Sequence, residues 1–223
     1  MCELIFMDVT LRAVVIVIFA IIFSYFFTNK KGNFAYFTKG LAISLIASIL
    51  FLLEGFQLFN GYSDLERLPF CLLVIGTWGI GFYYYYKHFS SFFDFEYLNN
   101  FNIPVIVLML LNVTVAFSGL VAIIPKTDAL FATGLTTTLQ GTFTFGLTFF
   151  ITYKYYNENK ISYKKTDLIC TFCLALGNTS FLFLNNYSVA LEIIIVAILI
   201  MSYNYIRNVE TVSIKYVDQK TTV

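Results

Sequence analysis

GLAISLIASILFLLEGFQLF, residues 40–59, runs for twenty residues with a single charge, the carboxylate of Glu54. A hydrocarbon core about 30 Å thick is crossed by about 20 helical residues at 1.5 Å each, so this stretch has the length and composition of one membrane span. Only helices and closed barrels cross lipid without orphaned backbone groups, and the strict period-two alternation of a barrel strand is absent. A helix follows.

Outward from it the same pattern recurs at 11–27, 68–86, 103–124, 130–153, 168–184 and 189–206, which predicts about seven transmembrane helices. Hydrophobic residues make up 59% and charged residues 12% of the 223, far from the roughly half and quarter of soluble domains. The expected fold is all-α, a polytopic membrane bundle forming one domain over 1–223, with a short cytoplasmic tail at 207–223. No length is left for a separate soluble domain. A net charge of +1 gives no surface for nucleic acid.

Eleven of the 14 Lys and Arg residues fall in one set of connecting segments and the tail; Arg12, Arg67 and Lys126 fall in the opposite set. Cytoplasmic loops carry the basic excess, so the N-terminus is expected outside and the C-terminus in the cytoplasm, in the plasma (inner) membrane. Acidic Glu3 and Asp8 precede the first apolar run and no basic region does, so that run reads as a retained helix rather than a cleaved signal. Aromatic residues reach 19%, and FYYYYKHF at 82–89 falls where the third span meets the cytoplasmic headgroups. Tyr83 to Tyr86 are expected to form an interfacial belt there.

The four cysteines include a CxxC, Cys170 and Cys173, inside an apolar run with no second ligand pair, and His88 is the single histidine. These read as packing residues, and neither a metal nor a cofactor is expected. The stretch 35–63 lines up loosely with 162–188: each has a basic lead-in, a span and an FNGYS or NNYS turn. That suggests a 3+1+3 repeat with the fourth span as connector, an arrangement found in transporters.

Polar groups within the spans are the candidates for function. An ionisable group in hydrocarbon costs about 2.5–3.5 kcal/mol on insertion scales, so it normally faces a partner or a cavity. Glu54 is the deepest such group, Gln57 lies three residues on, and Glu192 opens the seventh span; the two acids are the candidate catalytic residues. In the fifth span Thr133, Thr137, Gln140, Thr144, Thr148 and Thr152 recur near the helical period, one polar stripe along the helix. Threonines are ordinary material for helix contacts in lipid, and a hydroxyl stripe also suits a pocket for a headgroup or small solute. Asn112 and Thr114, with Asn178, Thr179 and Ser180, would complete it. The ligand-contacting set is then Gln57, Asn112, Thr133, Thr137, Gln140, Thr144 and Asn178. No GxSxG, phosphate loop or HExxH is present, and no lysine in the seventh span offers a retinal Schiff base.

Lys39-Gly40-Leu41, Leu53-Glu54-Gly55-Phe56-Gln57-Leu58, Gly177-Asn178-Thr179-Ser180-Phe181-Leu182 and a closing MSYNYI at 201–206 follow an order and spacing that resembles the lysoplasmalogenase family of small multispanning membrane proteins. Aligned on Leu58, the first family acid falls on Gly55, with Glu54 displaced by one residue, about 100° around a helix; the second falls on Asn178 or Thr179. The resemblance implies hydrolysis of a vinyl-ether lysolipid by carboxylates that protonate the alkenyl carbon and deliver water. Two other readings stand beside it: a small-solute transporter built on the repeat, and a seven-helix receptor or sensor that needs a separate cytoplasmic partner. The partners implied are a membrane lipid or small-molecule ligand, a second copy of the chain, or that cytoplasmic protein.

Overall fold

The computed structural model describes residues 2–28, 34–93, 101–159, 162–183 and 192–207. They form seven helices: α1 Cys2–Thr28, α2 Ala35–Phe59, α3 Asp64–Phe93, α4 Asn102–Leu120, α5 Lys126–Asn159, α6 Ser162–Phe183 and α7 at 192–207. No strand occurs among the described residues. The tail expected beyond the last span lies outside them. Among the described residues, four segments are long and apolar enough to cross a membrane: Val9–Thr28, Ala35–Phe59, Glu66–Ser90 and Asn102–Leu120.

The turns have local causes. After α2, Gly61 takes φ 78°, Tyr62 N–H donates to Gln57 O at 3.1 Å and Gly61 N–H to Leu58 O at 3.1 Å. That left-handed closure is why FNGYS needs its glycine. Ser63 then caps α3: Glu66 Oε2 accepts from Ser63 N–H at 2.8 Å and from its hydroxyl at 2.7 Å, the reach-back of a capping box written as S-D-L-E. α4 ends the same way at Leu120, short of the expected 124, because Ala122 adopts φ 59° and Ile123 N–H turns back to Ser118 O at 2.9 Å. Alanine carries a steric penalty in that region that glycine does not.

α3 is the hub. It packs against α2, α4 and α5, while α1 lies on α2 and α6 on α5. Buried residues make up 61% of the α3 window but 22% of those of α1 and α4, whose outer faces present Leu11, Val17 and Ile21, or Ile103, Val107 and Phe117. Apolar surface so continuous belongs against lipid.

α7 returns to the core through Tyr205, whose hydroxyl is 3.1 Å from His88 Nε2 and whose ring lies 5.3 Å from Phe34 and 5.1 Å from Phe37. The tyrosine run divides in two. Tyr83 and Tyr84 are half-buried, but Tyr85 and Tyr86 are fully buried, and Tyr85 OH meets Ser44 Oγ at 2.8 Å. Each residue turns the helix face by 100°, so four consecutive rings cannot all face outward from the bundle. Gly40 admits the Tyr85 ring: a Cβ there would stand 2.8 Å from Cε1. Cys170 is buried in the core and Cys173 packs against it.

Candidate functional site

Two buried polar nodes divide the expected site residues between them. The first lies at the outward end of α2 in the expected orientation. Glu54 is fully buried, yet both its oxygens are occupied: Arg12 Nη1 donates to Oε2 at 2.7 Å, and Arg67 donates to Oε1 through Nε at 2.9 Å and also through Nη2. Arg12 Nη1 also reaches Phe51 O at 2.7 Å, with its guanidinium carbon 3.5 Å from the centre of the Phe51 ring. Gly55 makes room, since a Cβ there would lie 2.9 Å from Arg12 Nη1. One carboxylate thus ties α1, α2 and α3 together. Charge-assisted bonds of this kind are the strong ones, and planar guanidinium suits a buried pair.

Glu192, exposed at the start of α7, shares a cleft with Arg12, Ser48, Phe51 and Ile195. The cleft holds about 30 Å³, room for a water or two rather than a lipid headgroup. Arg12 bonds Glu54 and lines the cleft that Glu192 lines. Gln57 is half-buried, and its Oε1 has no hydrogen-bond partner among the described residues.

The second node lies about 18 Å further along α3, the rise of the twelve residues from Arg67 to Gly79. Gly79 falls one residue past the middle of the Glu66–Ser90 window, and Asn112 one past the middle of Asn102–Leu120. Asn112 Nδ2 donates to Thr137 Oγ1 and, at 3.5 Å, to Thr133 O. Gln140 Nε2 donates to Gly79 O at 2.7 Å, bridging α5 to α3. Three of the threonines are spent on their own helix: Thr133 Oγ1 donates to Ala129 O at 2.6 Å, Thr137 Oγ1 to Thr133 O at 2.8 Å and Thr148 Oγ1 to Thr144 O at 2.7 Å.

Several polar atoms remain. Asn112 Oδ1, Gln140 Oε1 and Asn178 Oδ1, with the hydroxyls of Thr138 and Thr144, have no hydrogen-bond partner among the described residues, and all five side chains are buried. Two of these oxygens pack on Gly79, which must be glycine to admit them: a Cβ there would stand 3.0 Å from Asn112 Oδ1 and 3.1 Å from Gln140 Oε1. Asn178 sits apart from that pair, pressed on Gly141 of α5, where a Cβ would lie 2.1 Å from its Oδ1, and its Nδ2 donates to Leu174 O at 2.7 Å.

The expected residues therefore separate. Glu54, Gln57 and Glu192 belong to the outer end, and Asn112, Thr133, Thr137, Gln140 and Thr144 to the middle. Arg12, Arg67 and Gly79 were missed. The available signal for the arginines was their scarcity, since only three occur in the chain. No group of three or more potential metal ligands occurs among the described residues. No family model matches the chain, and no curated protein or solved structure matches it.

Proposed function

We propose that the chain is a carrier for a small polar solute, with seven spans, its N-terminus outside, and a binding site where α3, α4 and α5 meet half-way across the bilayer. The observation that carries this is the pair of buried amide oxygens, Asn112 Oδ1 and Gln140 Oε1, packed on Gly79 with no hydrogen-bond partner among the described residues. An unmet acceptor in an apolar interior costs about 1–3 kcal/mol, and carrier sites are found near the midplane between helices. The outer ion cluster supports a static role at that end, because both oxygens of its carboxylate are bonded within the bundle. The test is flux of methylammonium, glycerol and urea into vesicles holding the purified chain. At least one should enter faster than into empty vesicles, and Gln140→Leu should abolish the difference; unaltered flux in that variant removes the site.

The vinyl-ether hydrolase reading draws on one observation, the cleft shared by Glu192 and Arg12 beside Glu54. Both Glu54 oxygens accept bonds, so the proton donor in that reaction would be Glu192. Aldehyde release from a vinyl-ether lysolipid, absent in Glu192→Gln, is its signature.

A further inference from the structure

The end of the bundle opposite Glu54 carries a cluster of another kind. α2 enters with Tyr36 and Lys39, and α3 leaves with Tyr83, Tyr84 and Lys87. The Lys39 ammonium lies 5.6 Å from the centre of the Tyr36 ring on its own helix and 6.0 Å from that of Tyr84 on α3. Tyr83 packs edge-on against Tyr84, with ring centres 5.5 Å apart, and its hydroxyl lies within electrostatic reach of those of Tyr36 and Tyr84. Lys87 follows Tyr83 and Tyr84 by one helical turn, which puts it on their face of α3.

What the cluster lacks is an anion. Lys39 is exposed and the other four side chains are half-buried. Two ring faces from two helices attract the Lys39 ammonium and hold it at the helix junction without using its N–H donors. Neither lysine makes an ion pair among the described residues, and the acids of α2 and α3, Glu54, Asp64 and Glu66, all stand at the other end of these helices. The hydroxyls of the three tyrosines make no hydrogen bond among the described residues. The patch lies where the Ala35–Phe59 window begins and the Glu66–Ser90 window ends, at the depth of lipid headgroups. Ile46 and Leu53 follow Lys39 at seven-residue spacing, so they share its face of α2, and both are exposed. Charge and donors at the boundary thus continue into an apolar strip, the order of parts in a phospholipid.

We propose that Lys39 and Lys87, with the hydroxyls of Tyr36, Tyr83 and Tyr84, bind the phosphate of one anionic phospholipid whose acyl chain runs along Ile46 and Leu53. A choline or ethanolamine headgroup brings a further cation to a patch that already holds two, so zwitterionic lipids are poorer guests. The patch is separate from the solute site and does not depend on transport.

The experiment is native mass spectrometry of the full chain in nonionic detergent with equimolar dioleoylphosphatidylglycerol and dioleoylphosphatidylcholine. The first lipid bound should be phosphatidylglycerol, by about tenfold for two lysines at the boundary. Lys39→Gln should lower that preference about fivefold, while Lys39→Arg and Lys220→Gln, the second removing an equal charge from the tail, should leave it unchanged. Tyr84→Phe keeps the ring and should cost about threefold through the lost donor. Equal binding of the two lipids, or an unaltered preference in Lys39→Gln, overturns the site. An equal loss in Lys39→Gln and Lys220→Gln reduces it to general charge and overturns it as well. Glycerol 3-phosphate that displaces the bound lipid from the unaltered chain overturns the lipid assignment in favour of a soluble phosphate.

Discussion

The outer node and the middle node are both buried among helices, but they are solved differently. At the outer end a full charge is surrounded by more donors than it has oxygens, and three helices share the result. In the middle, the amides of Asn112 and Gln140 donate to neighbouring helices while their oxygens have no hydrogen-bond partner among the described residues. Charge in the membrane attracts attention in a sequence, yet here the buried carboxylate is the group with both oxygens bonded. Function is better sought where a folded chain leaves a polar group wanting, since a structural role would have been served by a partner or by an apolar residue.

That contrast can be broken, and the largest lever is Glu54. Glu54→Leu leaves two guanidinium groups without their carboxylate, and removal of one partner from a buried pair costs about 3–5 kcal/mol; reversible unfolding in mixed micelles should show a loss of that size. Exchanging Arg12, Glu54 and Arg67 together for Met, Leu and Met should recover most of it, which would confine the cluster to a structural part. A smaller effect tests the α5–α6 contact beside the middle node. Gly141→Ala drives a methyl into Asn178, 2.1 Å away, and overpacking of this kind costs about 1–3 kcal/mol.

Arg67→Lys keeps the charge but replaces two converging N–H groups by a single ammonium, so a loss of about 1 kcal/mol is expected, visible as a lower unfolding midpoint. Gln140→Leu should have the smallest effect of all on stability, close to zero, because it deletes an unmet acceptor along with a donor bond to a carbonyl already inside a helix. A cost for Gln140→Leu as large as that for Glu54→Leu would erase the distinction between the two nodes.

Much of this was legible in the sequence, and the division follows physical lines. Apolar windows located the helices because lipid imposes a length, but windows report depth rather than backbone. α2 begins at Ala35 rather than 40, and α5 continues to Asn159 past 153, since a helix propagates until a dihedral or a cap stops it. The stripe on α5 was legible because its period is local. Which of its members matter was not, because a threonine hydroxyl that turns back on its own carbonyl reads the same as one that faces a ligand. Glu54 stood out as a lone acid, whereas its partners Arg12 and Arg67 lie 42 and 13 residues away and were counted as loop charges. Tertiary contact alone brings them together.

The α2–α3 turn has a consequence for biogenesis. Its glycine closure and its Ser63–Glu66 cap satisfy the backbone at both ends of the bend, and the bond from Arg67 to Glu54 spans its two legs. A hairpin that carries its own counter-ion across the turn presents the translocation machinery with a paired charge instead of a bare one.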